Sequence, residues 1–105
     1  MTDVKVSVTF RHTEPTDALK RYAAEKFRKI GKYFSRPLEA HVVLAVDSRE
    51  RQVAEVTMQA RGATIHGREE TQDLYSAIDL LVDKVEQQIR KYKTKSRLKR
   101  RRVQS

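Results

Sequence analysis

Apolar residues along this chain recur with two different periods, and the order in which the periods alternate leaves few folds open. In VKVSVTFR (4–11), Val4, Val6, Val8 and Phe10 alternate with Lys5, Ser7, Thr9 and Arg11, the period-two pattern of a half-buried strand. HTEPT interrupts it, and Thr16 followed by Asp17 supplies an N-cap and a first-turn carboxylate that favours the helix dipole. Leu19, Ala23, Phe27, Ile30 and Phe34 then recur at spacings of 4, 4, 3 and 4, the single apolar stripe of an amphipathic helix. SRP (35–37) ends that helix, because the residue before a proline disfavours helical backbone.

EAHVVLAVD (39–47) is a strand rich in β-branched residues, SRERQ turns the chain, and VAEVTMQA (53–60) returns with Ala54, Val56, Met58 and Ala60 alternating. RGA marks a tight turn, and TIHGREE (64–70) reads as a shorter, weaker strand at an edge. A second helix starts near TQD and runs through LYSAIDLLVDKVEQQIRKYK, where Leu74, Ile78, Leu81, Val85, Ile89 and Tyr92 form a stripe of nearly five turns. The order is β-α-β-β-β-α. Its start implies a right-handed crossover between two parallel strands, and the short links after it imply an antiparallel meander. Two helices with one stripe each then cover one face of a four-stranded sheet, an α+β two-layer sandwich. With 105 residues this is one domain, with no internal repeat and no linker before about residue 93.

Charge is unevenly spread. All 14 acidic residues lie at or before Glu86; residues 1–92 hold 16 basic against those 14, whereas residues 93–105 hold 7 basic and none acidic. The pI near 10.1 is therefore mostly tail, RKYKTKSRLKRRRVQS at the C-terminus. Such a block serves either as an interaction arm or merely as a solvated end. No run of 18 apolar residues exists to span a membrane, and the N-terminus lacks a signal peptide's apolar stretch. With no cysteine present, disulfides and thiolate metal sites are excluded, and a cytoplasmic protein is expected.

Projected at 100° per residue, the first helix carries Lys26, Lys29 and Lys32 on one flank of its stripe, with Tyr22 and Tyr33 among them and Glu25 as the acid near them on that helix. On the second helix Lys84, Lys91 and Lys95 share one side of the apolar face, while Asp79, Asp83 and Glu86 gather on the other. One reading is two basic ridges spaced to track phosphates, the tyrosines contacting sugar or base. The other is that lysines fill solvent faces, as on most amphipathic helices. Segregation on both helices, the second running into the basic tail, favours RNA binding by shape without base reading.

Enzyme chemistry finds no foothold. His12, His41 and His66 are scattered without metal-ligand spacing, so no metal is expected and the histidines read as structural. Gly31, Gly62 and Gly67 are isolated, and no nucleophile has a base beside it. Glu69 and Glu70 precede a helix and are expected to serve its N-terminal dipole. No catalysis and no cofactor are expected.

DLYSAIDLLVDKVEQQIRKYK (73–93) resembles the C-terminal helix of the ribosome hibernation-promoting factor and ribosome-associated translation inhibitor family, with Asp73, Tyr75, Ala77, Ile78, Asp79, Lys84 and Gln88 fitting its pattern. LKRYAAEKFRKIGKYF (19–34), HVVLAVD and ATIHGREETQD are similar to its other elements, and the resemblance covers residues 4 to about 95. It implies a fold like that of double-stranded-RNA-binding domains. It also implies binding to 16S rRNA of the small ribosomal subunit, in the channel where mRNA and the A- and P-site tRNAs would lie. Translation would be blocked by occupancy, in stationary phase or stress, by a protein that is a monomer off the ribosome. Matching positions for rRNA contact are Lys26, Lys29, Lys32, Lys84, Lys91 and Lys95, with Tyr22, Tyr33 and Arg90 beside them; Gln87 stands where some relatives are basic. The chain is most similar to the short form, which pairs ribosomes with the help of a separate ribosome modulation factor. Residues 1–95 are then the ribosome-binding domain, and the basic residues 96–105, foreign to the family pattern, a flexible tail. A general RNA- or DNA-binding module and a structural ribosomal protein are the competing readings.

Overall fold

The computed structural model describes residues 3–34, 36–60 and 63–104, with side-chain surroundings described through Lys91 except at residues 60 and 63. Its elements are β1 (Val4–Arg11), α1 (Asp17–Arg28), a 3-10 helix (Lys29–Tyr33), β2 (Leu38–Ser48), β3 (Arg51–Ala60), β4 (Ala63–Thr71) and α2 (Leu74–Gln104). The expected order is present. One sheet runs β1-β2-β3-β4, with β1 parallel to β2 and the remaining pairs antiparallel, so α1 crosses between neighbouring parallel strands. β4 is an edge strand, as its composition suggests, but at nine residues it is not short.

Both helices lie against the same sheet face. Ala40, Val42, Leu44, Ala54, Val56 and Met58 point from the sheet into one core with Leu19, Ala23, Phe27 and Ile30 of the first helical segment and Leu74, Ile78, Leu81, Val85 and Ile89 of α2. No described polar or charged residue is buried. Ile30, Phe27, Ile78, Leu81 and Ile89 are fully enclosed, and burial of each stabilises by about 1.5–3 kcal/mol. This is what holds the helical layer at a defined position over the sheet.

Thr16 caps α1 as expected, its hydroxyl accepting from the Leu19 amide at 3.2 Å. The first helical segment is not one α-helix to Phe34, however. It tightens into the 3-10 form at Lys29, and Phe34 is extended at φ −130°, ψ 150°. Gly31 weakens the helix there, and the chain must straighten so that the Leu38 amide reaches the Asp3 carbonyl at 3.2 Å beside β1. The tighter coil turns each residue by about 120°, which swings Lys32 and Tyr33 away from their α-helical directions.

α2 starts at Leu74, and Asp73 is its cap. The Asp73 carboxylate accepts from the amide and the hydroxyl of Ser76, each at 3.1 Å, and its carbonyl accepts from the Ala77 amide at 3.0 Å. The helix then crosses β4 at Gly67, where an added Cβ would lie 3.0 Å from Leu81 Cδ1. The missing side chain at Gly67 therefore makes room for Leu81 and Val85 of α2 against the sheet.

Candidate nucleic-acid interface

The layers differ in charge. Residues 17–33, spanning α1 and the 3-10 helix, carry six cations against two carboxylates, whereas residues 74–91 of α2 carry three of each. The strands and connections, residues 1–16 and 34–73, hold seven cations against nine carboxylates. On the sheet face away from the helices Arg68 pairs with Glu55 (3.3 Å) and Glu70 (3.6 Å), and Lys5 lies beside Glu39 in register. Through Lys91, the positive excess thus sits on the first helical segment.

Between the two helices runs a seam in which one arrangement occurs twice. Tyr22 donates its hydroxyl to Asp79 Oδ1 at 2.7 Å, and Lys26 Nζ lies 3.7 Å from that same oxygen and 5.3 Å from the centre of the Tyr22 ring. Tyr33 likewise donates to Glu86 Oε2 at 2.7 Å, with Lys32 Nζ 3.9 Å from that oxygen and 5.1 Å from the Tyr33 ring centre. Arg90 joins the second unit, 3.7 Å from Glu86 and 3.3 Å from the Tyr33 hydroxyl. The hydrogen bond to Asp79, then burial and that carboxylate's charge, hold the Tyr22 hydroxyl above its ordinary ionisation range. Tyr75 packs edge-on against Tyr22, ring centres 4.9 Å apart, and is partly exposed at the mouth of the seam.

This corrects the expectation that the α1 flank is free of acids apart from Glu25. Asp79 and Glu86, read from the sequence as the remote acidic side of α2, face Lys26 and Lys32 directly. The physical reason is topological: the crossover sets α1 beside α2 so that the basic flank of one meets the acidic flank of the other.

On the far side of α2, Lys84 Nζ lies 3.4 Å from Glu69 and donates to the Arg68 carbonyl at 3.4 Å, while Gln88 donates to the His66 carbonyl at 3.1 Å. Two side chains four residues apart on the helix thus cover two carbonyls two residues apart on edge strand β4. Glu69 and Glu70 are not at a helix N-terminus; Glu70 pairs with Arg51 (3.3 Å) and Arg68. His66 Nδ1 lies 3.2 Å from Thr57 Oγ1 on the open sheet face, and His41 pairs in register with the same Thr57. No group of metal-ligating residues occurs among the described residues.

The expected contact residues therefore sort by what already holds them. Lys26, Lys32, Arg90, Tyr22 and Tyr33 are engaged in the seam and Lys84 at the β4 edge. Lys29 and Lys91 are exposed, with no described carboxylate at ion-pair distance. The Lys95 side chain and the side chains of the proposed tail, 96–105, lie outside the described residues. Sequence reasoning passed over Arg21 and Arg28, seven residues apart on the other flank of α1, and Lys20 nearby; all three are exposed and lack a described carboxylate partner. Their spacing was a visible signal.

Two helices on one face of a four-stranded sheet, with the described cations concentrated on the first, make a small two-layer α+β domain. The chain belongs to the family described as Sigma 54 modulation protein / S30EA ribosomal protein, which matches residues 6–97. It is 36% identical over 92 residues to the ribosome hibernation promoting factor of Escherichia coli K12, covering 88% of this chain and 96% of that protein. It is 38% identical over 100 residues to the ribosome hibernation promotion factor of Lactococcus lactis subsp. cremoris MG1363; the match takes in 93% of this chain but 54% of that longer protein. The N-terminal domain of Thermus thermophilus Protein Y superposes with a TM-score of 0.77 at 31% identity, over 87% of this chain and 99% of that one. A ribosomal subunit interface protein from Coxiella burnetii shares the fold, with a TM-score of 0.75 at 22% identity.

Proposed function

We propose that this domain is a ribosome hibernation factor. It binds the small ribosomal subunit in the mRNA and tRNA channel, contacts 16S rRNA phosphates through its helical layer, and blocks translation by occupancy, without catalysis, in stationary phase or stress. The observation that carries this reading is a family match over residues 6–97 on a domain whose described positive excess sits on one exposed helix. The E. coli relative, aligned over nearly its whole length, bears a name that states the hibernation role. Lys20, Arg21, Arg28, Lys29 and Lys91, exposed and without described carboxylate partners, make the first phosphate contacts. Lys26, Lys32, Lys84, Arg90 and Lys95 add to them, and the residues from 96 on contribute salt-sensitive affinity with little choice of target. A separate ribosome modulation factor assists any pairing of ribosomes.

Sedimentation tests this. The protein is expected to travel with small subunits and whole ribosomes, and to be displaced when mRNA and tRNA fill the channel. Binding indifferent to that competition would mean a general RNA-binding module instead. Lys29→Glu with Lys91→Glu is expected to weaken subunit binding far more than removal of residues 96–105. With about five phosphates engaged, log K falls with log salt at a slope of roughly −3.5 to −4.5.

A further inference from the structure

The seam raises a question that phosphate binding alone does not answer: why a nucleic-acid-binding layer holds two of its lysines beside its own carboxylates. In both units the tyrosine hydroxyl and the lysine ammonium converge on one carboxylate oxygen. The tyrosine bond, 2.7 Å in each case, is short and fixes the carboxylate. Lysine, at 3.7 and 3.9 Å, is held by charge attraction beyond direct hydrogen-bond length, so this pairing is the weaker of the two and the one open to exchange. An anionic oxygen held by a tyrosine hydroxyl under a lysine ammonium is also the environment that a nucleic-acid phosphate oxygen would seek. Asp79 is half exposed, with solvent beside it to receive it when displaced; Glu86 is more enclosed, with Arg90 as a second cation beside it. The two carboxylates stand seven residues apart on α2, about 10 Å along its axis.

We propose that Asp79 and Glu86 are internal phosphate mimics that gate the seam cations. They occupy two anion positions in the seam and give up Lys26, Lys32 and Arg90 only to a backbone that presents phosphates at both positions together. Resting on the ribosomal reading, this names which nucleic-acid surface the seam cations take part in binding. Unstructured RNA meets a surface whose seam cations are already engaged, whereas a rigid rRNA surface displaces both carboxylates at once. The tyrosines then pass their hydroxyl bonds from carboxylate to phosphate, with no loss in hydrogen-bond number.

The test is the isosteric pair Asp79→Asn with Glu86→Gln, which keeps an acceptor for each tyrosine but removes the charge. Binding is measured across a salt series to poly(U), as unstructured RNA, and to empty small subunits. Affinity for poly(U) is expected to rise at least about tenfold at low salt, with a slope steeper by about 1.4, two additional single-strand phosphates. Subunit affinity should rise by at least as much, because rRNA no longer has to displace the two carboxylates, but its salt slope should stay unchanged, since both seam positions already hold phosphate in the wild-type complex. Each single variant should show about half the slope change, which gives a second reading should the pair fold poorly. The control Glu25→Gln with Asp83→Asn removes the same charge from exposed acids outside the seam. Equal gains by control and seam variant, or an unchanged poly(U) slope, overturn the proposal. Failure of the wild-type protein to bind subunits at all would instead remove the ribosomal reading, while the poly(U) comparison still decides the role of the seam.

Discussion

Gly67 offers the sharpest test of how the helical layer is held. An alanine there would place a methyl 3.0 Å from Leu81 Cδ1, 3.6 Å from Val85 Cγ2 and 3.7 Å from Val56 Cγ1. Two of these are ordinary contacts; the first is well inside the 3.5–4.0 Å optimum. Replacing glycine gains about 0.4–1 kcal/mol by restricting the unfolded chain, and adding a methylene to a packed core costs typically about 1–3 kcal/mol. Overpacking is expected to win, because Leu81 is fully enclosed and its Cδ1 can give way only against packed neighbours. Gly67→Ala should lower stability by about 0.5–2 kcal/mol, several degrees in melting temperature for a domain of this size, and Gly67→Val by more. Urea unfolding with an unchanged m-value is the assay. The cause is isolated by repeating the substitution in a Leu81→Ala background, where the offending Cδ1 is gone. There Gly67→Ala should become neutral or stabilising, a coupling of about 1 kcal/mol or more. Simple additivity of the two substitutions would refute the contact as the reason.

Two further outcomes follow from the side-chain geometry. The Tyr22 hydroxyl is raised above 10.0, first by its bond to Asp79, so the folded state favours its neutral form. Stability from this group is therefore full below pH 10 and lost as pH rises through the raised value, and Asp79→Asn should bring the midpoint down in an absorbance titration compared against Tyr22→Phe. Gln88→Ala should cost about 0.5–1.5 kcal/mol and speed amide exchange in β4 more than in β2; uniform change across the sheet would argue against local edge cover.

Much of the fold was legible because burial imposes periodicity on each element separately. Val4 to Phe10 and Ala54 to Met58 alternate, and the two helical stripes repeat near 3.6, so element order and layer arrangement followed. The break in the first helix at Lys29 did not show, because the three-residue step from Phe27 to Ile30 fits α and 3-10 geometry alike. Gly67 was visible as a gap in the alternation of Ile65 and its neighbours, but what filled the gap depends on α2. The interface was half legible. A helical wheel shows which flank is basic and contains nothing about the neighbouring element. Lys26 beside Asp79, Lys32 beside Glu86 and Lys84 beside Glu69 are contacts between segments distant in the chain, set by topology.

The covering of β4 by Lys84 and Gln88 also bears on where α2 sits along its own axis. Four helical residues rise about 6 Å and two strand residues about 6.8 Å, so the two donors match the two carbonyls at one axial setting. A slide of one helical turn would leave one carbonyl without its donor and drive Leu81 off Gly67. The pair therefore works as a detent. It indexes the helix against the sheet, so the lengthwise position of Lys91 is set from the strand edge two turns before it.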